Sequence, residues 1–135
     1  MSTDRRPLLL VLLGSALLVT VVIHLSFIPQ YFPDDVFMTG LALVAGWVTY
    51  TLVFYVAGRL QSSPRELPSM RTADIGIALF LVSLLLGAAL DSFGFTPEAI
   101  LEAYVVPAIG IYVGLALLGW SIGRRTEAIN EIVKQ

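Results

Sequence analysis

Four long apolar runs, separated by short polar segments, dominate the pattern of residues along the chain. They cover residues 7–28, 36–58, 73–90 and 98–123. An α-helix needs about 20 apolar residues to cross about 30 Å of hydrocarbon, and each run is close to that length. The connections are too short to form a second domain. The pattern therefore predicts an all-α integral membrane protein, a single transmembrane domain over residues 1–135 in which four helices, α1 to α4, form a bundle.

The fourth run has the clearest internal pattern. At about 100° per residue, small side chains fall along two opposite sides of the predicted α4, and large apolar side chains lie between them. One side holds Ala103, Pro107, Gly110, Gly114 and Ser121, and the other holds Ala108, Tyr112, Ala116, Gly119 and Gly123. Because small residues mark the places where transmembrane helices approach closely, we expect α4 to lie between two neighbouring helices.

In each of the other three helices, small and polar residues also lie along one side. The sets are Ala16, Thr20 and His24 on α1, Thr39, Ala42, Gly46 and Thr49 on α2, and Gly76, Ser83, Gly87 and Asp91 on α3. These sides should face protein, while the remaining surfaces meet lipid. The residues expected at close helix contacts are Ala42, Gly46, Gly87, Gly110, Gly114, Gly119 and Gly123.

Proline and threonine residues indicate where the helices begin and end. Thr72 is expected to cap the N-terminus of α3, and Pro29 to close the turn after α1. Pro107 lies one turn inside the predicted α4 and should kink it by freeing the carbonyl group of Ala103. Residues 124–135 form a short amphipathic tail that either continues α4 or lies in the membrane interface.

The distribution of charged residues predicts the orientation of the chain. All eight basic residues lie in the N-terminal tail, the middle loop and the C-terminal tail, namely Arg5, Arg6, Arg59, Arg65, Arg71, Arg124, Arg125 and Lys134. The first and third connections contain acidic residues and no basic ones. By the positive-inside rule, both termini and the 59–72 loop are cytoplasmic, so that the chain forms two in-out-in helical hairpins in the cell membrane.

A weak internal repeat relates the two hairpins. At an offset of about 65 residues, Arg6 matches Arg71, and Gly58-Arg59 matches Gly123-Arg124. Two hairpins of the same orientation would be related by a pseudo-two-fold axis along the membrane normal. The same matches can also arise without duplication, since any such hairpin needs arginine at its inner end and proline in its outer turn.

Ionisable side chains near the outer ends of the helices form the one candidate polar site. Counted at 1.5 Å per residue, His24 lies about 26 Å along α1, Asp91 about 27 Å along α3, and Tyr104 about 28 Å from the inner end of α4. Glu102 lies just above this layer. A contact between His24 and Asp91, joined by Tyr104 or Glu102, could form an outward-facing proton or cation site. Alternatively, His24 reaches headgroup water and Asp91 merely ends its helix.

Composition and the absence of motifs exclude several classes of function. Charged residues make up 13% of the chain, the mean hydropathy is +0.86, and there is no cysteine, which excludes disulfides, iron–sulfur clusters and thiolate zinc sites. No nucleotide-binding, hydrolase or metalloprotease motif is present. The topology explains the inner arginines without nucleic acid. We therefore expect no enzymatic activity, no cofactor or metal, and no nucleic-acid partner.

Two functions remain open for this polytopic membrane protein. The first is a non-enzymatic accessory or assembly component, whose partners are the lipid bilayer and either another membrane protein or a second copy of itself. The two small-residue sides of α4 favour it. The second is a small homo-oligomeric ion or solute transporter or channel that uses the layer of His24, Asp91 and Tyr104.

Overall fold

A computed structural model describes residues 2–62 and 67–134, and within these ranges all regular structure is helical. Four helices are long and apolar enough to cross a membrane, which confirms the four predicted helices. α1 comprises an α-helix at Ser2–Val22, a π-helical turn at Ile23–Phe27 and a last turn at Ile28–Tyr31; α2 is Val36–Leu60, α3 is Arg71–Ser92 and α4 is Val105–Lys134. Residues 63–66, the middle of the predicted loop between α2 and α3, lie outside the described ranges.

α1 runs past its predicted end because its last part changes helix type. Pro29 has no N–H group, and in a regular α-helix its ring would clash with the carbonyl group of Leu25. In the π-helical turn, the N–H group of Ile28 bonds to the carbonyl oxygen of Ile23 instead. The wider turn carries the helix through the proline to Tyr31. The prediction that the helix stops at residue 28 was therefore wrong.

The beginnings of α3 and α4 also differ from the prediction. α3 begins at Arg71 with no side-chain cap, so Thr72 lies inside its first turn and does not cap it. A 3₁₀ turn at Leu101–Tyr104 precedes α4, and Pro107 is the third residue of the α-helix. A proline is tolerated in a first turn because its missing N–H group has no partner there anyway. The change from 3₁₀ to α-helix thus takes the place of the predicted kink.

At its other end, α4 continues without a break into the predicted tail. The helix is 30 residues long and ends at Lys134. Of the two alternatives for the tail, the structure shows a continuation of α4. Glu127 and Ala128 are buried, so this extension packs against the rest of the molecule.

α4 lies between α2 and α3, as predicted, and α1 packs on α2. The helices therefore follow the order α1, α2, α4, α3 across the molecule. Gly119 and Gly123 approach the α2 backbone at Thr51 and Tyr55, whereas Gly110 and Gly114 approach α3 at Ser83, Gly76 and Phe80. A Cβ atom added at Gly114 would lie 2.7 Å from the carbonyl oxygen of Gly76, closer than side chains approach backbone in real proteins. The glycines on both small-residue sides of α4 therefore lie against a neighbouring helix.

The contact between α2 and α4 is reciprocal near Arg59 and Arg124. Gly58 lies against the backbone of Trp120 and Arg124, and Gly123 lies against the backbone of Tyr55 and Arg59. Each α4 residue comes 65 positions after its counterpart on α2, in the pairs 58 and 123, 55 and 120, and 59 and 124. Reciprocal contacts are what a two-fold axis between two like surfaces produces. The central helix pair therefore follows the offset found in the sequence.

The outer helices do not follow this symmetry. Thr49 of α2 bonds to Thr20 of α1. At the equivalent position of α4, Gly114 contacts Gly76 and Phe80 of α3, while the residue equivalent to Thr20, Leu85, is 70% exposed. α3 is thus displaced along α4 relative to the position of α1 on α2.

Candidate functional site

Polar side chains meet where α1 packs on α2. Thr20 is 8% exposed, and its hydroxyl lies 2.8 Å from the hydroxyl of Thr49. The Thr20 hydroxyl also donates to the carbonyl oxygen of Ala16 at 2.7 Å, and Thr49 bonds to the carbonyl oxygen of Gly46 at 3.1 Å. The predicted polar side of α1 therefore does face protein.

His24 is held through both of its ring nitrogens. Nδ1 lies 2.8 Å from the carbonyl oxygen of Thr20, and Nε2 lies 2.6 Å from the hydroxyl of Tyr112 on α4. A carbonyl oxygen only accepts, so Nδ1 carries a proton and, in the neutral ring, Nε2 accepts from the Tyr112 hydroxyl. The two rings also meet edge to face, with centroids 5.5 Å apart. His24 thereby connects α1 to α4 across α2.

Two local features make room for the His24 ring. Gly46 lies directly against it, since a Cβ atom there would be 2.7 Å from Cε1 of the histidine. His24 also lies in the π-helical turn Ile23–Phe27, which is wider than an α-helical turn. Such turns occur frequently at functional sites. In this chain, however, the steric demand of Pro29 is sufficient to explain it.

Two aromatic residues of α2 surround Tyr112. Tyr50 donates its hydroxyl to the carbonyl oxygen of Tyr112 at 2.9 Å, and the two rings pack edge to face at 4.9 Å. Trp47 packs on Phe80 of α3 at 5.7 Å. Its buried indole N–H group lies near the Tyr112 hydroxyl, yet it has no hydrogen-bond partner within the described ranges. We call Thr20, His24, Thr49, Tyr50 and Tyr112 the His24–Tyr112 cluster; it joins α1, α2 and α4.

The predicted layer of polar residues is not brought together. His24 bonds to Tyr112 and not to Asp91, the Tyr104 hydroxyl donates to the carbonyl oxygen of Phe95 at 2.6 Å, and Asp91 and Glu102 are exposed. The depth of each residue in the membrane was estimated by assuming straight α-helices. That estimate did not include the π-helical turn in α1, the 3₁₀ turn before α4 or the displacement of α3. Whether any of these residues serves a proton or cation site stays a prediction.

A cavity of about 540 Å³ opens beside the cluster, and residues of all four helices line it. Its wall is largely apolar and includes Gly40 and Gly87, whose small size leaves space. Gly87 was predicted to lie at a close helix contact. In the structure it does not, because a Cβ atom there would lie 3.9 Å from the Tyr104 ring, an ordinary contact distance. The hydroxyls of Tyr104 and Tyr112 are already bonded within the chain. Apart from Glu98, which also lines it, the cavity is largely apolar and suits a hydrocarbon chain.

The C-terminal ends of α2 and α4 are joined by an ion pair. Arg59 Nη2 lies 2.8 Å from Glu127 Oε1, and Arg59 Nε donates to the same oxygen at 2.9 Å. The two side chains are only 15% and 10% exposed. A shielded pair of this kind is costly to break, because either charge left alone would lack a partner.

Neither a metal-binding cluster among the described residues nor a similar protein points to a function for this chain. Within residues 2–62 and 67–134, no group of three or more histidine, cysteine, aspartate or glutamate side chains comes together to hold a metal ion. Comparison of the chain with protein-family models, with curated proteins and with solved structures found no match.

Sequence reasoning missed Tyr112 as the partner of His24. A signal was present, because Tyr112 is the one large polar residue on a side of α4 that otherwise holds alanine and glycine. A bulky polar residue on such a side has to insert between the neighbouring helices, where its hydroxyl needs a partner. Among the residues that face protein on α1, His24 and Thr20 were the available partners.

Proposed function

We propose that the chain is a non-enzymatic, multi-pass protein of the cell membrane that works by assembling with another membrane protein or with a second copy of itself. The observation that carries this proposal is the internal hydrogen bonding of the His24–Tyr112 cluster. Its hydroxyls and both imidazole nitrogens bond within the chain. Polar groups paired in this way hold helices together and are themselves not free to bind an ion or a substrate.

The outer face of α1 supports a partner. α1 packs mainly on α2, and Leu25 on its outer face is 75% exposed. A side chain added at Gly14 would meet no atom within 4 Å. Glycine inside a helix costs about 1 kcal/mol relative to alanine, and it is favoured in membranes where another helix approaches. Gly14 has no such neighbour among the described residues, so we assign the approach to a second molecule.

Assembly is tested by measuring the mass of the protein extracted from native membranes in mild detergent. We expect a complex larger than the monomer, and we expect Gly14→Leu to reduce the complexed fraction about tenfold by blocking close approach. Ala78→Leu, a similar enlargement on the exposed face of α3, is the matched control and should leave the complex unchanged. A monomer at all concentrations with no co-purifying protein would contradict the proposal.

The proposed orientation, with both termini and the 59–72 loop in the cytoplasm, follows from the positions of the arginines. Because the native chain contains no cysteine, single introduced cysteines can be labelled without interference. A membrane-impermeant maleimide should label Ser92→Cys in intact cells and Ser69→Cys only after permeabilisation. The reverse pattern would overturn the orientation while leaving the assembly proposal open to its own test.

A small ion or solute transporter is the competing proposal, and the observation that favours it is the acidic residue Glu98 in the wall of the cavity beside Tyr112. If the polar residues lining the outer ends carry an ion, His24→Ala and Asp91→Asn should each reduce flux into liposomes by at least tenfold. Flux that is absent, or unaffected by both substitutions, removes this site as a transport site.

A further inference from the structure

A second cavity, of about 280 Å³, lies between the segment before α3 and residues 120–124 of α4. Its polar wall includes Ser69, Thr72, Ser121 and Arg124. One guanidinium group and three hydroxyls can all donate hydrogen bonds to an anion. No carboxylate is among the described residues that line this cavity. The cavity is therefore suited to a negatively charged group.

Arg124 lies beside this cavity, and no described residue provides a counter-charge for it. Its Cζ atom lies 4.7 Å from the centroid of the Trp120 ring, and its buried Nε has no hydrogen-bond partner within the described ranges. Over those same ranges, the one ion pair joins Arg59 to Glu127. A buried N–H donor without a hydrogen-bond partner is costly. An anion that is not among the described residues would remove that cost.

The reciprocal contact between α2 and α4 allows the surroundings of Arg124 to be compared with those of Arg59. Arg59 lies over the ring of Tyr55 as Arg124 lies over the ring of Trp120. Arg59 then pairs with Glu127, but the position equivalent to Glu127 is Ser62. The Ser62 hydroxyl donates to the carbonyl oxygen of Arg124 at 3.1 Å and brings no negative charge. Arg59 is therefore paired with a glutamate, whereas Arg124 has a serine at the equivalent position and lies beside a polar cavity.

The beginning of α3 adds to the attraction for an anion. The N-cap residue Met70 provides no side-chain cap, and the Ser69 hydroxyl accepts from the N–H group of Arg71 at 3.4 Å. Thr72, in the first turn, lines the cavity. The N-terminus of a helix offers unpaired N–H groups and a partial positive charge. Asp74, the acidic residue of the same turn, is exposed and does not line the cavity.

We propose that this cavity binds a phosphate group, held by the Arg124 guanidinium and by the hydroxyls of Thr72 and Ser121. Arginine forms bidentate, charge-assisted hydrogen bonds with phosphate, which supply the interaction that Glu127 supplies to Arg59. The phosphate comes from the headgroup of a phospholipid or from a free phosphate ion, and the experiment separates these sources. The proposal does not depend on assembly with a partner.

Trp120 provides the readout, because the Arg124 guanidinium lies on its ring. In a Trp47→Phe background it is the remaining tryptophan of the chain. The protein in neutral maltoside detergent is titrated with inorganic phosphate, and separately with phosphatidylglycerol mixed into the micelles. Diacylglycerol with the same acyl chains and chloride at equal ionic strength are the controls. A saturable change in fluorescence with either phosphate source, and none with the controls, supports the proposal and assigns the source. No saturable change with either source overturns it.

Substitutions locate the binding to the cavity. Arg124→Gln should weaken binding by about 10- to 100-fold, which phosphorus NMR can follow independently of Trp120. Ser121→Ala and Thr72→Val leave the arginine on its ring, and each should weaken binding by about fivefold in the fluorescence titration. Arg6→Gln removes the same charge from an exposed arginine and should change nothing. Equal weakening by Arg6→Gln and Arg124→Gln would reveal unspecific charge attraction and overturn the proposal.

Glu66 lies outside the described ranges and is therefore tested directly. Phosphate binding that is similar in the native chain and in Glu66→Gln supports the proposal. Binding that appears only in Glu66→Gln would mean that this carboxylate neutralises Arg124 in the native chain, and the proposal would fail.

Discussion

Two different kinds of contact hold the helices together, one around α4 and the other around α1. Around α4, glycines such as Gly114 and Gly123 bring helix backbones into direct contact. Around α1, side-chain hydrogen bonds such as His24 to Tyr112 connect the helices. In a bilayer, neither kind gains much from hiding apolar surface, because lipid tails are as apolar as leucine. A contact between two backbones is lost when a bulky side chain is added to either helix. A substitution in the polar region removes only one hydrogen bond. We therefore expect substitutions around α4 to lower the free energy of unfolding more than substitutions around α1.

The largest effect is expected at the reciprocal contact of α2 and α4. In Gly123→Leu, the new side chain would collide with the backbone of Tyr55 and Arg59, and overpacking against backbone should cost about 3 kcal/mol or more. Size-exclusion chromatography of the detergent-extracted protein should show little folded monomer or complex. Gly14→Leu makes the same chemical change where no atom lies within 4 Å and should leave the folded yield unchanged. If the two variants behave alike, close backbone contact is not what holds α4 in place.

A smaller effect is expected in the His24–Tyr112 cluster. His24→Phe keeps an aromatic ring but removes both ring nitrogens, so the Tyr112 hydroxyl loses its partner. The free energy of unfolding, measured by titration with sodium dodecyl sulfate, should fall by about 1–2 kcal/mol.

The double variant His24→Phe/Tyr112→Phe separates this hydrogen bond from other effects of substitution. Once both partners are removed, the second change should cost less than it does alone, with a coupling of about 1 kcal/mol. Fully additive losses would show that the 2.6 Å contact between His24 and Tyr112 contributes nothing specific.

The smallest effect is expected from the bond between Thr20 and Thr49. Thr49→Val keeps the shape of the side chain and removes the hydroxyl, so the free energy of unfolding should fall by about 0.6 kcal/mol. Thr51→Val is the control on the same helix, because the Thr51 hydroxyl donates to the carbonyl oxygen of Trp47 within its own helix. An equal loss in both variants would remove the special role of the contact with α1.

The comparison of the two regions also explains what the sequence could and could not predict. The two packing sides of α4 were predictable because glycine content and helical period are properties of one segment. The partner of His24 was not, since it depends on how far each helix is displaced along its neighbour. The predicted end of α1 was wrong for a related reason. Pro29 would end a regular α-helix, but the π-helical turn lets α1 continue to Tyr31. Such adjustments depend on surrounding structure and leave little trace in composition.

Because Gly58 meets α4 as Gly123 meets α2, the edge of α2 around Tyr55 and Arg59 matches a near copy of itself. An edge of this kind can pack against a second, similar edge around a two-fold axis, with an arginine beside each aromatic ring. The two halves of this contact nevertheless carry different charges. The guanidinium of Arg59 is neutralised by Glu127, whereas Arg124 forms no ion pair within residues 2–62 and 67–134, so the positive charge on this side of the molecule is concentrated on α4.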